Sequence, residues 1–126
     1  MKISRVLVGG LLSLMSISAF SEVVHFDQQT YDELRQEGKP VIVHTSATWC
    51  PICSKQNEML SSIEREPRFS HMMVLVVDID ADKDIMKSLN LSKRSMFVAY
   101  KGDQEVGRSL GDTSKESIEA LFAKTL

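Results

Sequence analysis

Val41-Ile42-Val43-His44-Thr45-Ser46-Ala47-Thr48-Trp49-Cys50-Pro51-Ile52-Cys53-Ser54-Lys55-Gln56 is the stretch on which the reading of this chain turns. Its first five residues form a short, β-branched, apolar run suited to a buried strand, and Ser46–Trp49 reads as a loop. From Cys50 to about Arg65 the pattern predicts a helix, with Met59, Leu60 and Ile63 as its apolar stripe and Pro67 marking its end. The only two cysteines, Cys50 and Cys53, therefore fall where a strand hands over to a helix. A sulfur at a helix start meets unpaired backbone N–H groups and the positive end of the helix dipole, both of which favour thiolate over thiol. Cys50 is the expected nucleophile. Cys53, one turn further in and more shielded, is the expected resolving thiol. Pro51 sits where its missing N–H costs nothing, and it stiffens the turn.

Outward from this stretch the elements alternate. Val23–Phe26 is a short strand, and Gln28–Glu37 a helix ended by Gly38 near Pro40. Met72–Ile79 is nearly continuous in apolar residues, as in a strand covered on both faces. Lys83–Leu89 is a helix, Met96–Tyr100 a strand, Lys101–Gln104 a turn and Glu105–Leu110 the returning strand. Ser114 opens a last helix carrying Ile118, Leu121 and Phe122. The order β-α-β-α-β-α-β-β-α predicts an α/β fold of three layers, a central mixed sheet with helices on both faces.

The start of the chain has a different character. Lys2 and Arg5 precede an uncharged stretch, Val6–Ser21, rich in Leu, Val, Ile, Ser and Gly. This is the pattern of a secretory signal over residues 1–21, with Ala19 and Ser21 at the small-residue positions and a domain over 22–126. The alternative is an uncut membrane tether, although the run is short and serine-bearing for a span. Losing Lys2 and Arg5 moves the formal charge from −2 to −4. A mildly acidic domain without a basic block excludes a nucleic-acid binder. Two cysteines are too few for a disulfide scaffold, so an exported setting, periplasmic or otherwise, points to a working redox pair.

Ala47–Cys53, Val77-Asp78-Ile79-Asp80 and Tyr100-Lys101-Gly102-Asp103 together resemble the thioredoxin-like superfamily, over essentially Val23–Leu126. The resemblance implies an exported thiol-disulfide oxidoreductase acting on disulfide-bearing proteins, supplied by a membrane-bound electron donor, needing no cofactor and expected to be a monomer. It also exposes two departures. The family's cis-proline before the strand Met96–Tyr100 is replaced by Ser95, for which a trans bond is expected because a non-proline cis bond costs about 2.5–4 kcal/mol. The buried acidic residue that thioredoxins carry six positions before the first cysteine is replaced by His44.

His44 has two readings, a proton shuttle to Cys53 or a core-edge histidine with a satisfied hydrogen bond. Trp49 either contacts a partner chain or braces the cysteine loop. Ile52 brings neither charge nor donor to the thiolate, which leans the reading toward reduction and away from a dithiol oxidase. The Ser95 side chain alone signals little, and its neighbours are the expected substrate contacts. A third reading keeps the fold as a binding or assembly module with little turnover. A zinc site is disfavoured because His25, His44 and His71 are scattered and no second Cys-x-x-Cys exists. Met59, Met72, Met73, Met86 and Met96 fall at core positions rather than in a copper-binding cluster, Met1 and Met15 lying in the leader. Asp78, Asp80, Asp82 and Asp84 read as a solvated turn.

Overall fold

The computed structural model describes residues 9–10 and 22–126. The predicted leader, 1–21, otherwise lies outside the described residues, as do Met1 and Met15. Ten elements follow in order: β1 (Glu22–His25), α1 (Gln28–Gln36), β2 (Pro40–Ser46), α2 (Pro51–Ile63), a 3₁₀ turn (Pro67–Phe69), β3 (Met73–Asp78), α3 (Lys83–Ser88), β4 (Met96–Lys101), β5 (Gln104–Leu110) and α4 (Lys115–Ala123). Among the described residues no helix is long and apolar enough to cross a membrane.

The five strands form one mixed sheet in the order β1-β3-β2-β4-β5. β1 and β2 run parallel to β3, and β4 runs antiparallel to both β2 and β5. β2 is central and its side chains alternate between two cores. Ile42 faces Leu60, Ile63, Phe97, Ile118 and Phe122, beneath α2 and α4. Val41 and Val43 face Tyr31, Leu75, Val98 and Tyr100, beneath α1 and α3. Burying each such side chain contributes roughly 1.5–3 kcal/mol, so a central strand apolar on both faces is fixed in register. The expected three-layer α/β arrangement is present. Met72 and Met96 are buried, and Met59, Met73 and Met86 pack against the two cores.

Local chemistry sets the helix ends. Asp27 caps α1 by accepting from the Thr30 N–H, and Ser114 caps α4 by accepting from the Ser117 N–H. The Asp78–Asp82 segment is a turn built by its own carboxylates: Asp78 accepts from the Asp80 and Ala81 N–H groups, and Asp82 accepts from the Asp78 N–H. Most element ends shift by about one residue from the sequence reading, and the largest difference is at the end of α2. α2 stops at Ile63, short of Arg65, and Pro67 opens the 3₁₀ turn rather than closing the helix. That turn buries Phe69 against Phe122, and the burial outweighs two more residues of helix.

Parallel pairing sets Ser46 opposite Asp78, so β2 and β3 end side by side. The chain leaves β2 there and turns into α2. A site at the carboxyl ends of parallel strands follows from that topology.

Candidate active site

Cys50 is the N-cap residue of α2 and Pro51 its first residue, as the sequence predicts. The cap is made by sulfur: the Cys53 N–H donates to Cys50 Sγ at 3.2 Å. Helix geometry alone therefore aims a backbone donor at the first cysteine. Cys50 and Cys53 are joined as a disulfide, with Cα atoms 5.2 Å apart. Cys53 Sγ also lies 4.0 Å from the Thr45 carbonyl.

Solvent access departs from expectation. Cys50 is the more open of the two, but at 2% exposure against 0% for Cys53 it is covered rather than presented. The pair packs with Ala47 and Ile79, and Ser95 closes over it. What remains open is the wall of a cavity of about 240 Å³, in which Cys50 is joined by Ser46, Thr48, Asn57 and Asp78. A second, more apolar groove of about 440 Å³ runs past the site between Trp49, Ile52, Ile79 and Leu110, with Lys93 and Arg94 on its rim.

Trp49 braces the cysteine loop, one of its two readings. Its Nε1–H donates to Asp80 Oδ2 at 2.7 Å, and the Arg94 guanidinium lies 4.8 Å from its ring centre, so the cysteine loop is braced. The indole is nonetheless 53% exposed, next to Ile52 and Leu110 in the groove.

His44 is fully buried, stacked on Phe97 with ring centres 4.4 Å apart. Its Nε2 lies 2.9 Å from Gln56 Oε1. The Gln56 amide donates from Nε2 to the Ser95 and Asp112 carbonyls, both at 3.0 Å, so its oxygen must be the acceptor and His44 Nε2 must carry the proton. Nδ1 is then bare, buried and without a hydrogen-bond partner. Burial pushes the His44 pKa down to about 4, against a smaller upward pull from Gln56, so the ring is neutral at physiological pH. Among the described residues no hydrogen bond links His44 to either sulfur. Of its two readings, the core histidine fits: its Nε2 is hydrogen-bonded to Gln56, although it lies deeper than a core edge and its Nδ1 is unpartnered.

Ser95 is the residue the sequence undervalued. The described residues contain no cis peptide bond, so the expected trans bond before Ser95 is present, but its φ is +62°. Left-handed backbone at a non-glycine residue costs roughly 1–3 kcal/mol and persists only where its surroundings dictate it. Here the Ser95 N–H donates to the Thr45 carbonyl at 2.9 Å, and its own carbonyl accepts from Gly111 N–H and Gln56 Nε2. The Thr45 hydroxyl stitches the flanking residues, donating to Lys93 O at 2.8 Å and accepting from Met96 N–H at 2.9 Å. The clamped turn sends Ser95 Oγ to 3.3 Å from Cys50 Sγ and 3.2 Å from Cys53 Sγ.

Gln56 and Thr45 were not singled out from sequence. Gln56 had one available signal: it falls at helical spacing with Cys53, Leu60 and Ile63, the other buried residues of α2. Thr45 had none beyond its place at the end of β2. Among the described residues no group of three or more His, Cys, Asp or Glu side chains could hold a metal ion.

A dithiol whose first sulfur caps a helix, with the second bonded to it and shielded behind, can accept or deliver a pair of electrons by thiol–disulfide exchange. The family model "Thioredoxin" matches residues 22–124. Thioredoxin from Oryctolagus cuniculus is 31% identical over 111 residues, covering 88% of this chain and 94% of the rabbit protein. Thioredoxin H9 from Arabidopsis thaliana is 31% identical over 84 residues, or 67% of this chain, which spans 59% of the plant protein's length. The crystal structure of Trxlp from Edwardsiella tarda EIB202 superposes with a TM-score of 0.78 at 28% identity, over 80% of this chain and 98% of that one. With the sheet order, the helix-capping cysteine and these matches in agreement, the chain belongs to the thioredoxin family.

Proposed function

We propose that this protein is an exported protein-disulfide reductase. The observation that carries the reading is Cys50 Sγ at the N-cap of α2, held by the Cys53 N–H at 3.2 Å. In the reduced protein that N–H and the helix dipole stabilise a Cys50 thiolate. The thiolate attacks a substrate disulfide, forming a mixed disulfide and expelling the first substrate thiolate. Cys53, once deprotonated, attacks Cys50 Sγ and expels the second. The dithiol brings one proton, on Cys53, and solvent supplies the other, so two substrate thiols leave and the Cys50–Cys53 disulfide remains.

The groove between Trp49, Ile52 and Leu110 suits an extended stretch of substrate chain, since exposed aromatic and aliphatic side chains there offer apolar contact. Ile52 offers no donor to Cys50, which favours reduction over oxidation. Export rests on Lys2, Arg5 and the uncharged run that follows. Outside the cytosol a reductase needs electrons delivered to it, hence a membrane-bound donor as partner.

One observation favours a second reading, a binding or assembly module with little turnover: both sulfurs are closed to solvent. Insulin reduction with dithiothreitol supplied, compared with Cys50→Ser, decides between them. A Cys50-dependent rate is expected, and its absence refutes the enzyme. A pair potential near about −270 mV supports the reductase, whereas a value near about −120 mV assigns the oxidase direction.

A further inference from the structure

Two sulfurs that exchange charge during a catalytic cycle need a partner for whichever one carries it. The familiar choices are not at hand. His44 Nε2 is committed to Gln56, its ring is neutral, and it makes no hydrogen bond to either sulfur. His25 and Asp78 on the cavity side make none, nor do Asp80, Lys93 and Arg94 on the groove side. Among the described residues the only side-chain oxygen within hydrogen-bond distance of both sulfurs is Ser95 Oγ, at 3.3 and 3.2 Å, in a residue 3% exposed. A hydroxyl donates and accepts at the same time, which neither a carboxylate nor an ammonium group does.

We propose that the Ser95 hydroxyl is the proton relay of this dithiol, donating to the Cys50 thiolate while accepting from the Cys53 thiol. The proposal deepens the exchange reading above and rests on it. Its steps balance. As Cys50 Sγ bonds to the substrate it loses its charge and releases the Ser95 proton. Oγ passes that proton to the departing substrate thiolate and takes the Cys53 proton in its place. The hydroxyl, again whole, then donates to the Cys53 thiolate until Cys53 closes the disulfide and expels the second substrate thiolate, which solvent protonates. In the disulfide form the nearly equal Oγ–sulfur distances place the hydroxyl within reach of either sulfur. The left-handed turn is what puts it there: Ser95 stands on a backbone fixed at both ends by Thr45, Gly111 and Gln56, so its Cβ points between the cysteines.

The test uses the full reduced chain with Ser95→Ala and Ser95→Gly. Both delete the hydroxyl, and glycine adopts positive φ freely, so the second variant keeps the test sound where the first disturbs folding. Alkylation of Cys50 by iodoacetamide is followed against pH by mass spectrometry. In both variants the midpoint is expected to move up by about one pH unit or more, as loss of a hydrogen bond to a charged group implies. With an aromatic disulfide as substrate, release of the second thiolate is expected to lag the first by about tenfold. An unmoved midpoint in Ser95→Gly overturns the thiolate contact, and unchanged second release overturns the relay. The exchange reading fails differently, by absent Cys50-dependent insulin reduction in the unsubstituted protein.

Discussion

Acid should loosen this fold through one imidazole. His44 is buried, neutral, and shifted from an ordinary 6.5 down to about 4. In the unfolded chain the same ring titrates near its ordinary value. Between those two values the unfolded state binds a proton that the folded state refuses, so stability falls as pH falls. The contribution is whole above about pH 6.5 and gone below about pH 4, and the interval corresponds to about 3 kcal/mol. That is a large share of the roughly 5–15 kcal/mol that holds a domain together. The perturbation is His44→Leu, which removes the titrating group and leaves Gln56 Oε1 without its donor at a cost of about 1–3 kcal/mol at every pH. Urea unfolding followed by far-ultraviolet circular dichroism, on the oxidised form of both proteins at several pH values from 7.5 to 4, reads the slopes. The carboxylates titrate in both proteins and cancel in the comparison. The unsubstituted protein should lose about 3 kcal/mol more than His44→Leu across the window. Parallel slopes would refute the reasoning.

Two further outcomes follow from the same network and its neighbour. Gln56→Leu strands the His44 Nε2–H and the Asp112 carbonyl and should destabilise by about 2 kcal/mol or more in urea; combined with His44→Leu, the loss should fall short of the sum of the two. Leu110→Ala removes an exposed groove side chain and leaves the Trp49 brace intact, and should lower insulin reduction by about fivefold while leaving a small aromatic disulfide nearly unaffected; equal losses on both substrates would remove the groove from the substrate path.

The elements of the fold were legible because each rests on local pattern. The nearly continuous apolar run Met72–Ile79 reads as a covered strand, and its Met73–Asp78 is β3 with both neighbours parallel. The cysteine pair could be placed at a helix start because Pro51 and the preceding strand bracket it, and Cys50 does cap α2. The site beyond the cysteines was less legible, for a reason common to its parts. Ser95 matters through the direction its side chain takes, which depends on a φ of +62° imposed by Thr45, a residue fifty positions earlier. Gln56 reads as an ordinary polar helix residue until its spacing with Cys53, Leu60 and Ile63 is set against the closed face of α2. The covering of Cys50 depends on the Ser95 turn and on Ala47 and Ile79 meeting over the pair, contacts that no window of sequence contains.

That covering has a consequence for traffic through the molecule. A disulfide open to bulk water equilibrates with whatever small thiol is abundant nearby, and its oxidation state then mirrors the surrounding medium. Here 2% of Cys50 is reachable, so free thiols collide mostly with the exposed Trp49 and Ile52 beside it. A macromolecule that lays its own chain along the groove can bring a sulfur to the gap and stay long enough to react. On the exchange function proposed above, closure of this kind slows equilibration with small thiols and favours transfer to a chain that docks along the groove.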